Sequence, residues 1–326
     1  MRAWLCKSFG PPESLVLEET AEPRVGSGSV LVRVTAAGLN FPDSLIIEGK
    51  YQFKPTFPFS PGGEVAGVVE AVGDKVTRFK VGDRVMGLTG WGGFAEKIAV
   101  GESNLVPVPD NLSDEAAAGF MMIYGTSMYA LKQRGRLEAG QTLLVLGAGG
   151  GVGKAAVEIG KAMGARVIAA ASSAEKLAVA QRAGADELIN YSEANLKEEL
   201  KRLTKGQGVD VVYDPVGGEL AEQALRSMAW DGRYLVVGFA SGTIPSFAAN
   251  LTLLKGCQIV GVFWGAFAQR SPQENLANFR ELLGWAQSGK IDPSVARVYA
   301  FEDAAQAIAD LGGRRLSGKA VVRVNA

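Results

Sequence analysis

The chain has 326 residues, 47% hydrophobic and 21% charged, which is the mix of a globular protein too long for one ordinary core. Its 34 basic and 34 acidic side chains cancel, which excludes a general electrostatic pull toward nucleic acid or an anionic membrane. It has no histidine and only two cysteines, Cys6 and Cys257, which excludes a disulfide framework, a Cys/His zinc site of ordinary composition and any histidine-based triad. Chemistry is left to a cofactor, to hydroxyls and carboxyls, or to water. No apolar run reaches the ~18 residues of a membrane span. The start, Met1–Lys7, is broken by polar residues and does not read as a signal peptide, so the cytosol is the expected compartment.

Residues 1–117 read as β-rich. Val30–Val34 and Val65–Val72 are apolar strands, and Gly73-Asp74 and Gly82-Asp83 are turn signals, a pattern that suggests a closed or partly closed barrel. Near residue 119 the pattern changes to alternating strand and helix. Strands are predicted at Thr142–Leu146, Arg166–Ala170, Glu187–Asn190, Val209–Tyr213, Arg233–Val237 and Gln258–Val262. Helices are predicted at Val152–Met163, Ala174–Ala183, Ala194–Thr204 and Gly218–Ala229. Near-continuous apolar strands joined by helices imply a parallel sheet covered on both faces, and six of them make a doubly wound dinucleotide fold. Beyond residue 264 come a helix at Gln273–Ser288, a strand at Val295–Tyr299, a helix at Phe301–Leu311 and a final strand at Ala320–Val324. This tail is too small to fold alone and is expected to return to the first domain.

The run Leu143–Leu146 leads into Gly147-Ala148-Gly149-Gly150-Gly151-Val152-Gly153. Strand, glycine turn and helix in that order suit a pyrophosphate: glycine admits close approach, and the helix N-terminus offers N–H donors. The match is Ala148-x-Gly150-x-x-Gly153, weak alone and stronger in the six-strand context; a plain tight turn is the other reading. An NAD site places an acid at the end of the second strand. Here that place reads Ala169-Ala170-Ala171-Ser172-Ser173-Ala174-Glu175-Lys176, with no acid at the strand end. Two hydroxyls and Lys176 favour the 2′-phosphate of NADPH, unless Ser172 only caps the next helix, Lys176 is solvated and Glu175 turns to the ribose.

Several motifs resemble one family. Gly62-Gly63-Glu64-Val65-Ala66-Gly67 is similar to the Gly-His-Glu-x-x-Gly signature of medium-chain alcohol dehydrogenases, with Gly63 at the histidine place. Ala37–Asp43 resembles the segment that carries a zinc-ligand cysteine there and asparagine and aspartate in zinc-free quinone oxidoreductases of the zeta-crystallin type. Gly125–Leu131, Asp210–Gly218 and Gly318–Val322 also look like that family, so the likeness covers the whole chain. It implies a GroES-like β-barrel catalytic domain (1–117), a Rossmann NADPH-binding domain (118–263) and a return segment (264–326), with an active cleft between the domains.

The resemblance implies roles residue by residue. Asn40 and Asp43 would line the reacting end, Tyr51 would close over the substrate, and Thr126 would touch the nicotinamide side. Gly150, Gly151, Val152 and Gly153 would hold the pyrophosphate. Ser172, Lys176 and Tyr191 would surround the 2′-phosphate, with Arg314 reaching it from the tail, and Phe239 and Phe263 would flank the cofactor at two late strand ends. Glu64 reads as structural, and no metal is expected. The implied activity is hydride transfer from NADPH to a quinone or another electron-poor acceptor. An enoyl or 2-haloacrylate-type alkene reductase is the nearest alternative, and an NADPH-binding structural protein of crystallin type is one of another class. The apolar late strands point to an edge covered in a homodimer.

Overall fold

A computed structural model of the protein describes residues 1–325. The chain forms two compact units, one made of Met1–Met122 with Pro293 onward, the other of Ile123–Asp292.

The first unit opens with β1 (Arg2–Leu5), paired antiparallel to β2 (Val16–Glu19). Then come β3 (Ser29–Gly38), β4 (Glu64–Val72), β5 (Arg84–Leu88), β6 (Lys97–Gly101) and β7 (Leu105–Pro107). The centre is β3, whose Val30, Val32, Val34 and Ala36 are buried. One edge of β3 pairs with β4 from Val30 to Ala37, and the other pairs with β6 from Ser29 to Arg33. A short helix, Phe41–Ile47, follows β3 directly.

The second unit holds β8 (Thr142–Leu146), β9 (Arg166–Ala171), β10 (Glu187–Asn190), β11 (Val209–Asp214), β12 (Met228–Val236) and β13 (Gln258–Gly261). All pair in parallel in the order β10-β9-β8-β11-β12-β13. The chain winds outward one way from β8 and the other way from β11, so the switch point lies between them. In such sheets ligands bind beyond the carboxyl ends at that point. The parallel sheet is the predicted one. Several ends shift by one or two residues, and the largest change is at β12, which starts at Met228 after a helix that stops at Arg226: Met228 already pairs with Val209, ahead of a register shift, and Asp231 within the strand has φ +58°.

The last strands, β14 (Arg297–Ala300) and β15 (Ala320–Arg323), return to the first unit, where β15 pairs antiparallel with Gly38–Ala36 at the end of β3. Tyr299, Phe301, Ala304, Ile308 and Val322 complete a core with Val34, Leu39, Ile46 and Phe94. The tail therefore returns, but later than residue 264. Helices Trp264–Arg270 and Pro272–Gln287 stay with the second unit, where Trp264 packs edge-on against Phe279 at 6.1 Å and Phe267 stacks on Tyr129 at 4.2 Å. Among the described residues no helix is long and apolar enough to cross a membrane.

Candidate active site

The glycine turn sits directly beyond β8, at the switch point. Gly150 caps the helix Gly151–Ala162, whose first bond of the i to i−4 kind runs from the Lys154 N–H to the Gly150 carbonyl at 2.8 Å. The N–H groups of Gly151, Val152 and Gly153 precede that bond and point out of the helix end. The motif glycines have different reasons. A Cβ on Gly153 would lie 2.2 Å from the Gly147 carbonyl oxygen, so the turn packs on the helix only if residue 153 has no side chain. A Cβ on Gly150 would meet nothing closer than 3.5 Å, and φ is an ordinary −89°. Neither packing nor backbone strain demands glycine at 150. The space kept open there fits the approach of a pyrophosphate.

At the end of β9 the structure brings Ser172 and Lys176 together, with the Lys176 ammonium 3.5 Å from the Ser172 hydroxyl. Ser173, not Ser172, caps the following helix, accepting the Lys176 N–H at 3.4 Å. Ser172 is thus spared for another partner. Tyr191 follows β10, beside β9, and its N–H donates to the Ala171 carbonyl, so it borders the same corner. Glu175 is solvent-exposed.

Two supports for this half escaped the sequence reading. Ser127, next to the half-buried Thr126, donates to the Val152 carbonyl at 3.1 Å and bonds the Tyr213 hydroxyl at 2.9 Å. Asp214, buried at the end of β11, accepts N–H bonds from Val216 (2.8 Å) and Gly217 (2.9 Å) and a bond from the Tyr234 hydroxyl. Burial raises its pKa, against those donors. The turn so fixed touches Phe239, whose ring would lie 3.2 Å from a Cβ on Gly217. Phe263 stands just past β13 and is exposed.

In the first unit, Asn40 and Asp43 form a capping box at the start of the helix Phe41–Ile47. Asp43 accepts the Asn40 N–H at 2.8 Å and, from β4's approach, the Gly63 N–H at 3.1 Å. Burial pushes its carboxyl up to about 6, opposed by those donors and by the Lys319 charge. Beneath it Glu64 is fully buried and receives the Met122 N–H (2.9 Å), the Asn40 amide (2.9 Å) and the Lys319 ammonium (3.1 Å). Lys319, 3% exposed, also donates to the Leu39 carbonyl at 3.0 Å and to Asn40 Oδ1 at 2.7 Å. Tyr51 packs at the edge of this core, and its pKa is raised by burial and then by the Asp43 charge. Lys319 lies in the segment Gly318–Val322 that carries the family likeness, but no role is assigned to it there. Arg314 is exposed, in this unit, with φ +56°, and its neighbour Arg315 pairs with Asp310 at 2.8 Å.

These residues do not suit a zinc ion. Both Asp43 oxygens and both Glu64 oxygens already accept hydrogen bonds, and a dication there would face the Lys319 ammonium. Among the described residues no group of three or more Asp, Glu, Cys or His side chains is arranged to hold a metal.

Residues 26–110 match the family model described as "Alcohol dehydrogenase GroES-like domain", and residues 151–283 match "Zinc-binding dehydrogenase". A Bos taurus protein named "Quinone oxidoreductase-like protein 2" is 39% identical over 322 residues, covering 98% of this chain and 92% of the relative. "Quinone oxidoreductase" of Pseudomonas aeruginosa is 37% identical over 317 residues, covering 97% of both chains. The chain belongs to the quinone oxidoreductase family. The crystal structure of Escherichia coli quinone oxidoreductase complexed with NADPH superposes with a TM-score of 0.91 at 29% identity, covering 99% of this chain and 100% of the other. The fold of this quinone oxidoreductase family member is accordingly a GroES-like domain joined to a Rossmann domain.

Proposed function

We propose that the protein is a zinc-independent, NADPH-dependent oxidoreductase whose acceptor is a quinone. The observation that carries the cofactor half is the glycine at position 150, which the fold does not need, beside a β9 end furnished with Ser172 and Lys176 and no acid. NADPH, when bound, supplies the hydride. Gly150, Gly151, Val152 and Gly153 hold the pyrophosphate, Ser172, Lys176 and Tyr191 hold the 2′-phosphate, and Thr126, Phe239 and Phe263 border the nicotinamide end. That relatives bear the name quinone oxidoreductase, and that the E. coli structure contains NADPH, supports the same reading.

Asn40, Asp43 and Tyr51 meet the acceptor. A quinone takes up hydride without a Lewis acid because the charge spreads onto its oxygens, so a buried ammonium-carboxylate cluster in place of a metal is compatible with such substrates and unsuited to an unactivated carbonyl. The Tyr51 hydroxyl, its pKa raised by burial, stays protonated at neutral pH and is available to donate to a developing oxyanion. We further propose a homodimer paired through β13, the edge of the parallel sheet, around which Trp230 and Leu253 are each 78% exposed and Ile259 and Phe263 also face solvent. Light scattering should then return about twice the 34.2 kDa chain mass.

The test is NADPH consumption across a panel of quinones, enones and 2-haloacrylates. The proposal expects kcat/KM to be highest for a quinone. Preference for the alkenes would reassign the acceptor, and no turnover with any of them would remove the enzymatic reading.

A further inference from the structure

We propose that Lys319 is a positioning residue for the reduction: from inside the first unit its ammonium locks the Asn40 amide in one orientation and so holds the Asn40–Asp43 turn that meets the acceptor. This rests on the functional reading above. The three N–H bonds of an ammonium are all spent, on the Leu39 carbonyl, Asn40 Oδ1 and Glu64 Oε2. Those acceptors come from the end of β3, the helix cap and the start of β4. The backbone around Lys319 is equally fixed. Its carbonyl accepts the Ala296 N–H at 2.7 Å, and the next carbonyl, Ala320, accepts the Leu39 N–H at 3.0 Å. Gly318, with φ +83°, makes the turn that aims the side chain inward.

An asparagine amide is nearly symmetrical in shape, so only its partners decide which way it faces. Here Oδ1 faces the ammonium at 2.7 Å, while Nδ2 donates to Glu64 at 2.9 Å and to the Gly38 carbonyl at 3.3 Å. A flip would set an amide N–H against the ammonium and an amide oxygen against the carboxylate. Lys319 and Glu64 together forbid it. Both Asn40 amide hydrogens are consumed inside the protein and its oxygen accepts the ammonium, so what the residue sets is the shape of the turn. Asp43, held by the Asn40 and Gly63 N–H groups and facing Lys319, Glu64 and Tyr51, moves with that turn.

K319M alone strands Glu64 as a buried carboxylate without its cation, so the decisive variant is the double K319M/E64Q. It removes both charges at little change in volume and lets the Asn40 amide turn over. With N40A and the triple variant it closes a cycle. Quinone kcat should fall at least tenfold in K319M/E64Q and in N40A, with NADPH Kd within about twofold of wild type. The triple variant should fall no further than N40A, because Lys319 acts through Asn40. Wild-type kcat in N40A, or losses that multiply in the triple variant, would overturn the proposal. N40A reports on Asn40 alone, so if the double variant does not fold, K319Q takes its place: kcat at least tenfold down with NADPH Kd unchanged supports the role of Lys319, and wild-type kcat in K319Q or in a folded K319M/E64Q overturns it. No turnover by the wild-type protein on any acceptor would instead overturn the functional reading, and this proposal with it.

Discussion

The glycine turn of the second unit and the buried cluster of the first reach precision by opposite means. The turn uses no charged side chain to shape itself: Gly153 lets backbone touch backbone, and Gly150 leaves room. The cluster is made of charge, with the carboxyls of Asp43 and Glu64 and one ammonium, all almost fully buried. A backbone device tolerates no added atom at one position and is indifferent at another. A charge device tolerates replacement only if all its members change together. The two regions should therefore fail differently.

The largest effect is expected at Lys319. K319M, measured by urea unfolding, should cost about 3–5 kcal/mol, the usual penalty for orphaning one partner of a buried ion pair. K319M/E64Q should recover most of it. Equal losses in the single and double variants would show that the cluster is not held by charge. The pH response of the same region is next. Because the folded Asp43 carboxyl titrates near 6 against about 3.9 for an unfolded aspartate, the folded state binds the proton more tightly. The burden of ionising it is absent below pH 4, grows as pH rises to about 6 and is constant above. Relative to D43N, wild-type stability should fall by up to about 3 kcal/mol across that window, since each pKa unit is worth about 1.4 kcal/mol. A difference independent of pH would mean that the Asp43 carboxyl titrates alike in the folded and unfolded chain, and stability that instead falls with acid would mean that folding lowers its pKa.

The turn is sharpened by a pair of substitutions. G153A forces a Cβ onto backbone atoms and should cost about 1–3 kcal/mol in thermal unfolding. G150A should leave stability within about 0.5 kcal/mol while weakening NADPH at least tenfold in fluorescence titration. If G150A binds NADPH like wild type, the open space at 150 serves no nucleotide.

This contrast also explains what the sequence disclosed. The six strands, the turn at 147–153 and the Ser172–Lys176 corner were legible because each is built from residues adjacent in the chain, where spacing and period are visible. Asn40 and Asp43 were found as a pair through a likeness, but their partners were not. Glu64 read as structural and Lys319 only as part of the family-like segment Gly318–Val322, because nothing local ties residue 319 to residue 40 before β15 has paired with β3. The boundary of the return segment differs for the same reason: Phe267 is held by Tyr129 and Asn278 by Gln133, contacts that periodicity does not specify. Ser173 rather than Ser172 caps the helix, a one-residue distinction that only geometry makes.

The central claim is that a 2′-phosphate corner and a metal-free charged cluster together serve NADPH-driven reduction. The most direct measurement compares quinone turnover with NADPH and with NADH, in wild type and K176A, on protein dialysed against chelator. The account predicts undiminished turnover after dialysis and a clear preference for NADPH. K176A should weaken NADPH roughly ten- to hundredfold, the effect of one charge-assisted contact of about 1.5–3 kcal/mol, and barely touch NADH. Activity lost on chelation and restored by zinc, or an equal loss of both cofactors in K176A, would contradict it.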